Sequence, residues 1–383
     1  MERVKNQQLY EEALIQARDH VLEVLENSRE LKEGFFPAPA AEGGIYRKHP
    51  NDECWTEGFY SGILSLAHEA KPSPMLRQLI EKHVDSFEER LEHKWVLDHH
   101  DIGFLYSLSC VAAYKTLGLK KAKETALEAA RWLIHRYTPE GKFIQAWGPM
   151  KAPESYRLII DAYMNIPLLF WAHEQTGEKE FYEVASNHAY TALQVVLRED
   201  YGTHHTYYFD TKTHKPLRGE TAQGYRDDSS WARGQAWGIY GFMLAYAYTK
   251  DPVFVDAFVK VTDYFIEHLP ADYIPYWDLA FSDGAQEPRD SSSSAIAICG
   301  ILEGAKQLPS LAQTERYLES AHKMMESLVN NYTPKSIQES EGLLLHGVYS
   351  IPHNQGVDES NIWGDYFYME ALVRLTQNWN PYW

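Results

Sequence analysis

Acidic side chains at two places in the sequence draw attention because apolar residues surround or follow them. Asp98-His-His-Asp101 directly precedes an apolar run, and Asp161 lies between Ile160 and Ala162. An ionised carboxylate in apolar surroundings is costly, and its pKa tends to rise, which suits a general acid. Glycoside chemistry commonly uses two carboxylates, one to donate a proton and one to support a water or the sugar ring. Asp101 and Asp161 are therefore the candidate catalytic pair, although Asp161 could equally cap or tether a helix.

The segment Asp98–Asp101 also admits a metal-binding interpretation, because Asp and His are both good ligands. Neighbouring residues on a helix point in different directions, so these four side chains are not expected to face one ion. We therefore expect no metal and no organic cofactor. The simplest role for Asp98 is the N-cap of the following helix, which would put Asp101 at the third helical position.

A second cluster combines two indoles, a guanidinium and an amide within two helical turns, in Trp231-Ala-Arg233-Gly-Gln-Ala-Trp237. Arginine can pair with a carboxylate through two parallel hydrogen bonds, and indole faces stack on sugar rings. The cluster therefore predicts a uronate subsite, with core packing of the two tryptophans as the alternative. Trp55, His205 and Gln223 are weaker candidates when each is taken alone.

Most of the chain shows helix-period apolar spacing, which predicts an all-α fold. Strand-like alternation is confined to short pieces at Thr206–Asp210 and Leu343–Tyr349. The twelve predicted helices cover residues 7–27, 56–70, 75–93, 98–118, 120–138, 154–175, 179–198, 231–249, 252–269, 290–308, 311–332 and 361–378.

These helices alternate in character along the chain. Segments such as Met75–His93 carry an apolar stripe and a charged face, whereas segments such as Ala236–Tyr248 have few charges and many small residues. Six such alternations predict an (α/α)6 barrel, with six inner helices wrapped by six outer ones. Polar and aromatic clusters stand at the start of every inner helix. Parallel inner helices would bring them to one face, where helix N-termini favour an anionic ligand.

Composition limits the remaining possibilities. The 383 residues carry a formal net charge of −18, so nucleic acid and anionic membranes are not expected partners. No segment resembles a signal peptide or a membrane span, and no linker divides the chain. Three unclustered cysteines fit a reducing compartment. We expect one catalytic domain over residues 1–383, in a cytoplasmic protein that is a monomer or a weak homo-oligomer.

Five motifs taken together resemble the unsaturated glucuronyl hydrolases, the glycosidases of glycoside hydrolase family 88. They match in order and with similar spacing over most of the chain. The motifs are Asp98-His-His-Asp101-Ile-Gly-Phe, Ile160-Asp161-Ala-Tyr-Met-Asn165, Ser230-Trp231-Ala-Arg233-Gly-Gln-Ala-Trp237, Asp290-Ser-Ser-Ser and Val357-Asp358-Glu359-Ser-Asn-Ile-Trp363-Gly-Asp365-Tyr.

The resemblance implies an (α/α)6 barrel and a specific reaction. Such enzymes act on lyase-generated oligosaccharides, from glycosaminoglycans or gellan-type polymers, that end in a 4,5-unsaturated glucuronic acid. They hydrate its C4=C5 vinyl ether, and the glycosidic bond breaks as a consequence. The resemblance makes Asp161 the acid/base and Asp101 the second carboxylate. It assigns the sugar pocket to Trp55, His205, Gln223, Trp231, Arg233 and Trp237.

One departure from the family pattern concerns substrate choice. Members that prefer sulfated fragments carry Ser-x-x-Ser-x-Lys before the last helix, and this chain keeps only the first serine, Ser350. The resemblance therefore predicts better use of unsulfated substrates. Two other enzymes stay open as alternatives, an unsaturated rhamnogalacturonyl hydrolase and a sugar epimerase on the same fold. A non-catalytic sugar-binding role is disfavoured, because buried carboxylates cost stability without helping to bind a uronate.

Overall fold

A computed structural model describes residues 2–383 and consists mainly of helices. One helix, α4, runs over residues 102–117 and contains a π-helical turn at Ser107–Val111. Short helical segments also occur at Arg29–Lys32 and Ile160–Met164. The other long helices are α1 (Glu2–Asn27), α2 (Glu57–Ala70), α3 (Pro74–His93), α5 (Lys120–Ile134), α6 (Pro167–Thr176), α7 (Lys179–Val196), α8 (Ala232–Thr249), α9 (Pro252–Glu267), α10 (Ser291–Gln307), α11 (Thr314–Asn331) and α12 (Ile362–Thr376).

The even-numbered helices form a closed inner ring. Each packs against the next even-numbered helix, and α12 returns to contact α2. Every odd-numbered helix lies outside this ring and packs on an inner neighbour, with α1 against α12. The arrangement confirms the predicted (α/α)6 barrel.

Residue size and charge explain which helices lie inside. In α8, every residue from Ala232 to Ala245 is buried. In the outer helix α5, only a stripe including Ala126 and Leu133 is buried, and the charged face is left to solvent. Glycine allows the inner helices to approach closely, since a Cβ on Gly300 of α10 would lie 2.7 Å from the Tyr240 backbone of α8.

The prediction for residues 98–118 was wrong at its start. The helix begins at Ile102, and Asp101 itself occupies the N-cap position without a side-chain capping bond. Asp98 is not a cap, because Arg136 Nη1 donates to its carboxylate at 2.6 Å and the Asp98 side chain is 80% exposed. Asp98 therefore pairs with the Arg136 guanidinium instead of with backbone N–H groups at the start of the helix.

The predicted helix over 154–175 was also wrong in its first half. That stretch divides into strand β5 (Arg157–Ile159), the 3-10 turn Ile160–Met164 and then α6, with Pro167 at its first turn. Proline is favoured at this position because it lacks an N–H and disfavours helix in the residue before it. Strand β5 pairs with β6, so backbone pairing takes these residues out of the helix.

The strands form small sheets in the loops between helices. The two predicted strand-like pieces correspond to β6 in a three-stranded sheet and β8 in a hairpin. The helix predicted over residues 120–138 is too long, because α5 ends at Ile134 and a strand follows. The strands are β1 (Phe36–Pro37), β2 (Lys48–His49), β3 (Tyr137–Thr138), β4 (Phe143–Ile144), β5, β6 (Thr206–Phe209), β7 (Pro216–Glu220), β8 (Gly347–Ser350) and β9 (Gln355–Glu359).

The two ends of the barrel differ. The inner helices present their N-termini at one end, while the C-terminal tail packs across the other, where Trp383 stacks on Phe367 of α12 at 5.9 Å. None of the helices in residues 2–383 combines the length and apolar character needed to cross a bilayer.

Candidate active site

The predicted clusters at the starts of the inner helices do meet at one end of the barrel. Trp55, just before α2, stacks on Trp363 of α12 with ring centroids 5.6 Å apart. Trp363 Nε1 donates to Ser292 of α10, and Arg233 of α8 pairs with Asp290 at 3.2 Å. Four inner helices therefore contribute to one connected set of contacts.

Asp101 is held by hydrogen bonds on both carboxylate oxygens. Trp147 Nε1 donates to Oδ2 at 2.8 Å, and Asn165 Nδ2 donates to Oδ1 at 3.3 Å. The Asp101 backbone N–H donates to His99 Nδ1, while His99 Nε2 lies 2.8 Å from the Val96 carbonyl and carries the proton. His99 also stacks on Trp147 at 4.2 Å, which fixes the indole that binds Asp101.

Asp161 lies on the 3-10 turn and faces Asp101. One oxygen from each carboxylate and Nε2 of His100 all lie within 4.8 Å of one another. Asp161 Oδ1 is buried and has no hydrogen-bond partner, although the side chain as a whole is 17% exposed. The structure therefore brings the two predicted catalytic residues together and leaves Asp161 partly open to solvent.

The two carboxyl groups have opposite pKa shifts. Burial raises the pKa of Asp161 well above its usual value, and the neighbouring Asp101 charge raises it further. Burial would also raise the pKa of Asp101, but His100, His99 and the Trp147 indole outweigh it and lower that pKa. Because His99 Nδ1 already accepts a backbone N–H, the indole is the better donor to the carboxylate. These shifts favour the ionised form of Asp101 and the protonated form of Asp161.

His100 lies between the two carboxyl groups. Its Nε2 is 3.4 Å from Asp101 Oδ1 and 3.5 Å from Asp161 Oδ1, without a hydrogen bond to either. Burial lowers the pKa of His100 to about 4, so the ring is neutral near pH 7. The helical argument against a shared ligand set fails for His100 and Asp101, because both precede the helix. His100, Asp101 and Asp161 offer three ligand atoms to one point. The same geometry suits proton transfer by two facing carboxyl groups.

Arg233 is buried with its terminal N–H groups engaged. Nη1 donates to Asp290 and to the Val348 carbonyl, and Nη2 donates to Gln223 Oε1 at 2.6 Å and to the Tyr349 carbonyl at 2.8 Å. These bonds occupy the donors that a bidentate pair with a uronate would require. Arg233 instead orients the Gln223 amide, whose Nε2 is thereby left to donate.

His205 and Trp231 form the adjacent wall. His205 Nδ1 accepts the Ala222 N–H at 3.1 Å, so the ring proton resides on Nε2. Burial lowers the pKa of His205 to about 3, which keeps the ring neutral. Its ring lies 4.3 Å from that of Trp231, and the Arg233 guanidinium lies 4.4 Å from the same indole.

The other predicted pocket residues lie in different surroundings. Trp55 is partly exposed and donates to the Tyr349 hydroxyl at 3.1 Å. Trp237 is 1% exposed and packs against Phe104 and Phe367, as the core-packing alternative described. Ser350 ends strand β8 and lies 2.7 Å from His353 Nδ1.

Sequence reasoning did not single out Trp147, Asn165 or Tyr349. Trp147 and Asn165 bind Asp101, and Tyr349 contacts both Trp55 and Arg233. Trp147 lies in a loop without helical or strand spacing, so no pattern marked it. Asn165 lies four residues after Asp161 in the same family motif, and its signal in the sequence was an amide among apolar residues.

Two facing carboxyl groups with opposite pKa shifts, at the mouth of an (α/α)6 barrel, are typical of an acid/base enzyme of the glycoside-processing class. The family model for Glycosyl Hydrolase Family 88 matches residues 35–380, and the chain belongs to this family.

Several relatives cover nearly the whole chain. Unsaturated chondroitin disaccharide hydrolase of Streptococcus pneumoniae is 46% identical over 98% of this chain and 95% of its own length. The crystal structure of unsaturated glucuronyl hydrolase from Streptococcus agalactiae matches with a TM-score of 0.94 and 45% identity, covering 97% of this chain and 94% of that one.

Two related structures contain sugar ligands. A variant of the Streptococcus agalactiae enzyme, complexed with dGlcA-GalNAc6S, matches with a TM-score of 0.86 and 43% identity over 98% of this chain and 93% of its own. A UGL variant with dGlcA-Glc-Rha-Glc matches with a TM-score of 0.91 and 38% identity over 96% of this chain and 98% of its own.

Proposed function

We propose that this chain is an unsaturated glucuronyl hydrolase. It removes a 4,5-unsaturated glucuronic acid from the non-reducing end of lyase-generated glycosaminoglycan or gellan-type fragments. The observation that carries this proposal is that Asp161 and Asp101 face each other in a family 88 barrel, with the pKa of Asp161 raised and that of Asp101 lowered. The names and ligands of the relatives point to the same substrate class.

The proposed reaction begins with proton transfer to the vinyl ether. The O–H bond of Asp161 breaks and a C–H bond forms at C4, which leaves positive charge shared between C5 and the ring oxygen. The ionised Asp101 stabilises that charge. Water then adds at C5 and gives its proton to the carboxylate of Asp161, which restores the acid. The resulting hemiketal opens, and the hemiacetal left at C1 releases the remaining sugar as an alcohol.

The polar side chains at the barrel mouth suit an anionic sugar. Gln223 is oriented by Arg233 to present its amide N–H groups, and His205 presents Nε2–H. Neutral donors bind a carboxylate or a hydroxyl without raising the local positive charge that would deprotonate Asp161. In this proposal Trp55 and Trp231 shape the pocket for the sugar ring, and the buried Trp237 supports them from the core.

The proposal extends to the setting of the enzyme. We place the whole chain in one catalytic domain that acts as a monomer or a weak homo-oligomer. Cys54, Cys110 and Cys299 are free in the structure, and burial raises the pKa of Cys110 to about 12. Free, inert thiols are compatible with a cytoplasmic protein.

A spectrophotometric assay tests the activity directly. The C4=C5 bond, conjugated with the carboxylate, absorbs in the near ultraviolet, and hydration removes this absorbance. We expect bleaching with unsaturated chondroitin, hyaluronan or gellan fragments. Bleaching only with unsaturated rhamnogalacturonan fragments would identify the rhamnogalacturonyl alternative. Isomerisation of a saturated aminosugar without bleaching of any lyase product would identify an epimerase.

Substrate sulfation is a finer part of the proposal. Gln355 occupies the position of the lysine in the Ser-x-x-Ser-x-Lys pattern and pairs with Ser350 across the β8–β9 hairpin. Without that cation we expect faster turnover of unsulfated than of 6-sulfated disaccharide. Gln355→Lys should raise the relative turnover of the sulfated one by about tenfold or less, as one exposed charge allows. As a control, Gln78→Lys adds the same charge on the outer helix α3 and should leave the relative turnover of the two disaccharides unchanged. Faster turnover of the sulfated substrate by the native protein would contradict the proposal.

A further inference from the structure

The side-chain amide of Asn165 connects both catalytic segments. Asn165 is 1% exposed, and its Oδ1 accepts the Phe104 N–H of α4 at 2.8 Å. Its Nδ2 donates to Asp101 Oδ1 at 3.3 Å and to the Asp161 carbonyl at 3.2 Å. A single amide therefore satisfies groups on the segment that carries Asp101 and on the turn that carries Asp161.

The backbone around this amide is packed without space for adjustment. A Cβ on Gly103 would lie 2.3 Å from both Cα and the carbonyl oxygen of Asn165. The first turn of α4 thus rests directly on the residue that ends the Asp161 turn. The position of the Asn165 side chain is fixed relative to both carboxyl groups.

The amide treats the two carboxyl groups unequally. It gives Asp101 a side-chain hydrogen bond to a carboxylate oxygen, but it contacts only the backbone of Asp161. Asp161 Oδ1 receives no hydrogen bond. A donor aimed at a carboxylate favours its ionised form. The chemistry requires that asymmetry, because one group must be charged while the other holds a proton.

We infer that Asn165 is a positioning residue of the acid/base pair: its amide fixes the separation of the two carboxyl groups and selects Asp101 as the ionised one. This inference rests on the proposed function, because the asymmetry matters only if Asp161 acts as the acid.

Other charged and titratable groups also face this pair. His99 and His100 lie beside Asp101, and the Arg233 charge acts on Asp161. The Arg136 and Arg157 charges lower the pKa of His100. His100 in turn lowers the pKa of His188 and of His205. Asn165 differs from them all in that its amide cannot titrate. Its replacement therefore changes hydrogen bonding to the pair without removing a native charge.

Asn165→Asp is the sharpest test. The new side chain has nearly the same shape and can still accept the Phe104 N–H, but an oxygen replaces the N–H that faced Asp101. We expect the acid limb of the kcat/KM profile to move up by about one to three pH units, as for a neighbouring like charge. We expect kcat to fall at least about tenfold with KM nearly unchanged, because the loss concerns proton transfer. Asn165→Ala, which adds no charge, should move the acid limb in the same direction by less.

Gln235→Glu is the matched control. Gln235 belongs to the cluster predicted as a uronate subsite, but the structure buries its amide completely. Its Nε2 donates to the Tyr201 carbonyl and to the Val261 carbonyl of the outer helix α9, both at 3.0 Å, and so points away from the pocket and the carboxyl pair. This swap should cost stability but leave both limbs of the pH profile in place. It separates a general effect of burying a carboxyl group from an effect on the pair.

The outcomes separate this inference from the proposed function. No bleaching by the native protein would remove the proposed function itself. Native bleaching with a bell-shaped pH profile, together with unmoved limbs in both Asn165 variants, would overturn the role of Asn165 alone. If both Asn165 variants fail to fold while Gln235→Glu folds, Asn165 is a framework residue and the inference is also overturned.

Discussion

Buried carboxyl groups occur at both ends of the barrel, in opposite surroundings. The open end is the one where the inner helices begin, and the closed end is the one that the C-terminal tail covers. At the closed end, Arg374 donates to Glu303 at 2.9 Å and to Glu370 at 2.8 Å, with all three side chains at most 6% exposed. The Tyr240 hydroxyl and the Trp383 indole supply further hydrogen bonds to Glu370. At the open end, Asp161 Oδ1 lacks any hydrogen-bond partner and faces another carboxylate.

The pKa shifts reflect this difference. Burial alone would raise the pKa of Glu303, but the Arg374 charge and its hydrogen bond lower it below the usual value. For Asp161, burial and the Asp101 charge outweigh the Arg233 charge and two backbone N–H groups, so its pKa rises. The comparison teaches that burial alone does not mark a catalytic acid. What distinguishes the open end is a carboxyl group that the fold leaves without a neutralising partner.

The largest expected effect is on turnover at the open end. Asp161→Asn keeps the shape of the protonated side chain but cannot release a proton, so kcat should fall by about 10²–10⁴-fold with little change in KM. The matched control is Glu303→Gln at the closed end, which should lower stability and leave kcat intact. Steady-state bleaching kinetics measure both variants. Substantial activity in Asp161→Asn would assign the acid elsewhere.

The next effect is on stability at the closed end. Arg374→Met leaves Glu303 and Glu370 buried without a cation, which should lower the free energy of unfolding by about 3–5 kcal/mol. Arg316→Met removes an exposed partner of Asp263 and should cost about 1 kcal/mol or less. Urea denaturation monitored by circular dichroism compares the two. Equal losses in both variants would show that the closed-end network contributes no more than a surface ion pair.

Features that follow from local sequence patterns were predictable, whereas features that depend on contacts between distant residues were not. The alternation of apolar and amphipathic helices predicted the barrel, because burial follows directly from side-chain character. Asp101 and Asp161 could be chosen as candidates because carboxylates stand out among apolar neighbours, and the structure brings the two together. The N-cap role of Asp98 was predicted wrongly, because its partner Arg136 is 38 residues away and in no local pattern. The engagement of Arg233 by the Val348 and Tyr349 carbonyls was equally hidden, since backbone groups carry no sequence signature.

The smallest expected effect is a difference in the pH dependence of stability between the two ends. Asp161 has a raised pKa in the folded state, so the native protein loses stability as pH rises from the unfolded-state pKa towards that raised value. Glu303 has a lowered pKa, so its contribution is present above the unfolded-state pKa and is lost as pH falls through the lowered value. Asp161→Asn should therefore gain stability relative to the native protein as pH rises. The deficit of Glu303→Gln should instead shrink as pH falls, with both changes of order 1 kcal/mol.

Other groups, such as Asp365 with its pKa raised to about 7, affect the native protein and both variants alike and cancel in these differences. Unfolding free energies from about pH 3 to 8 cover the windows of both groups and measure both slopes. Slopes of the same sign would mean that the two ends do not hold their carboxyl groups differently.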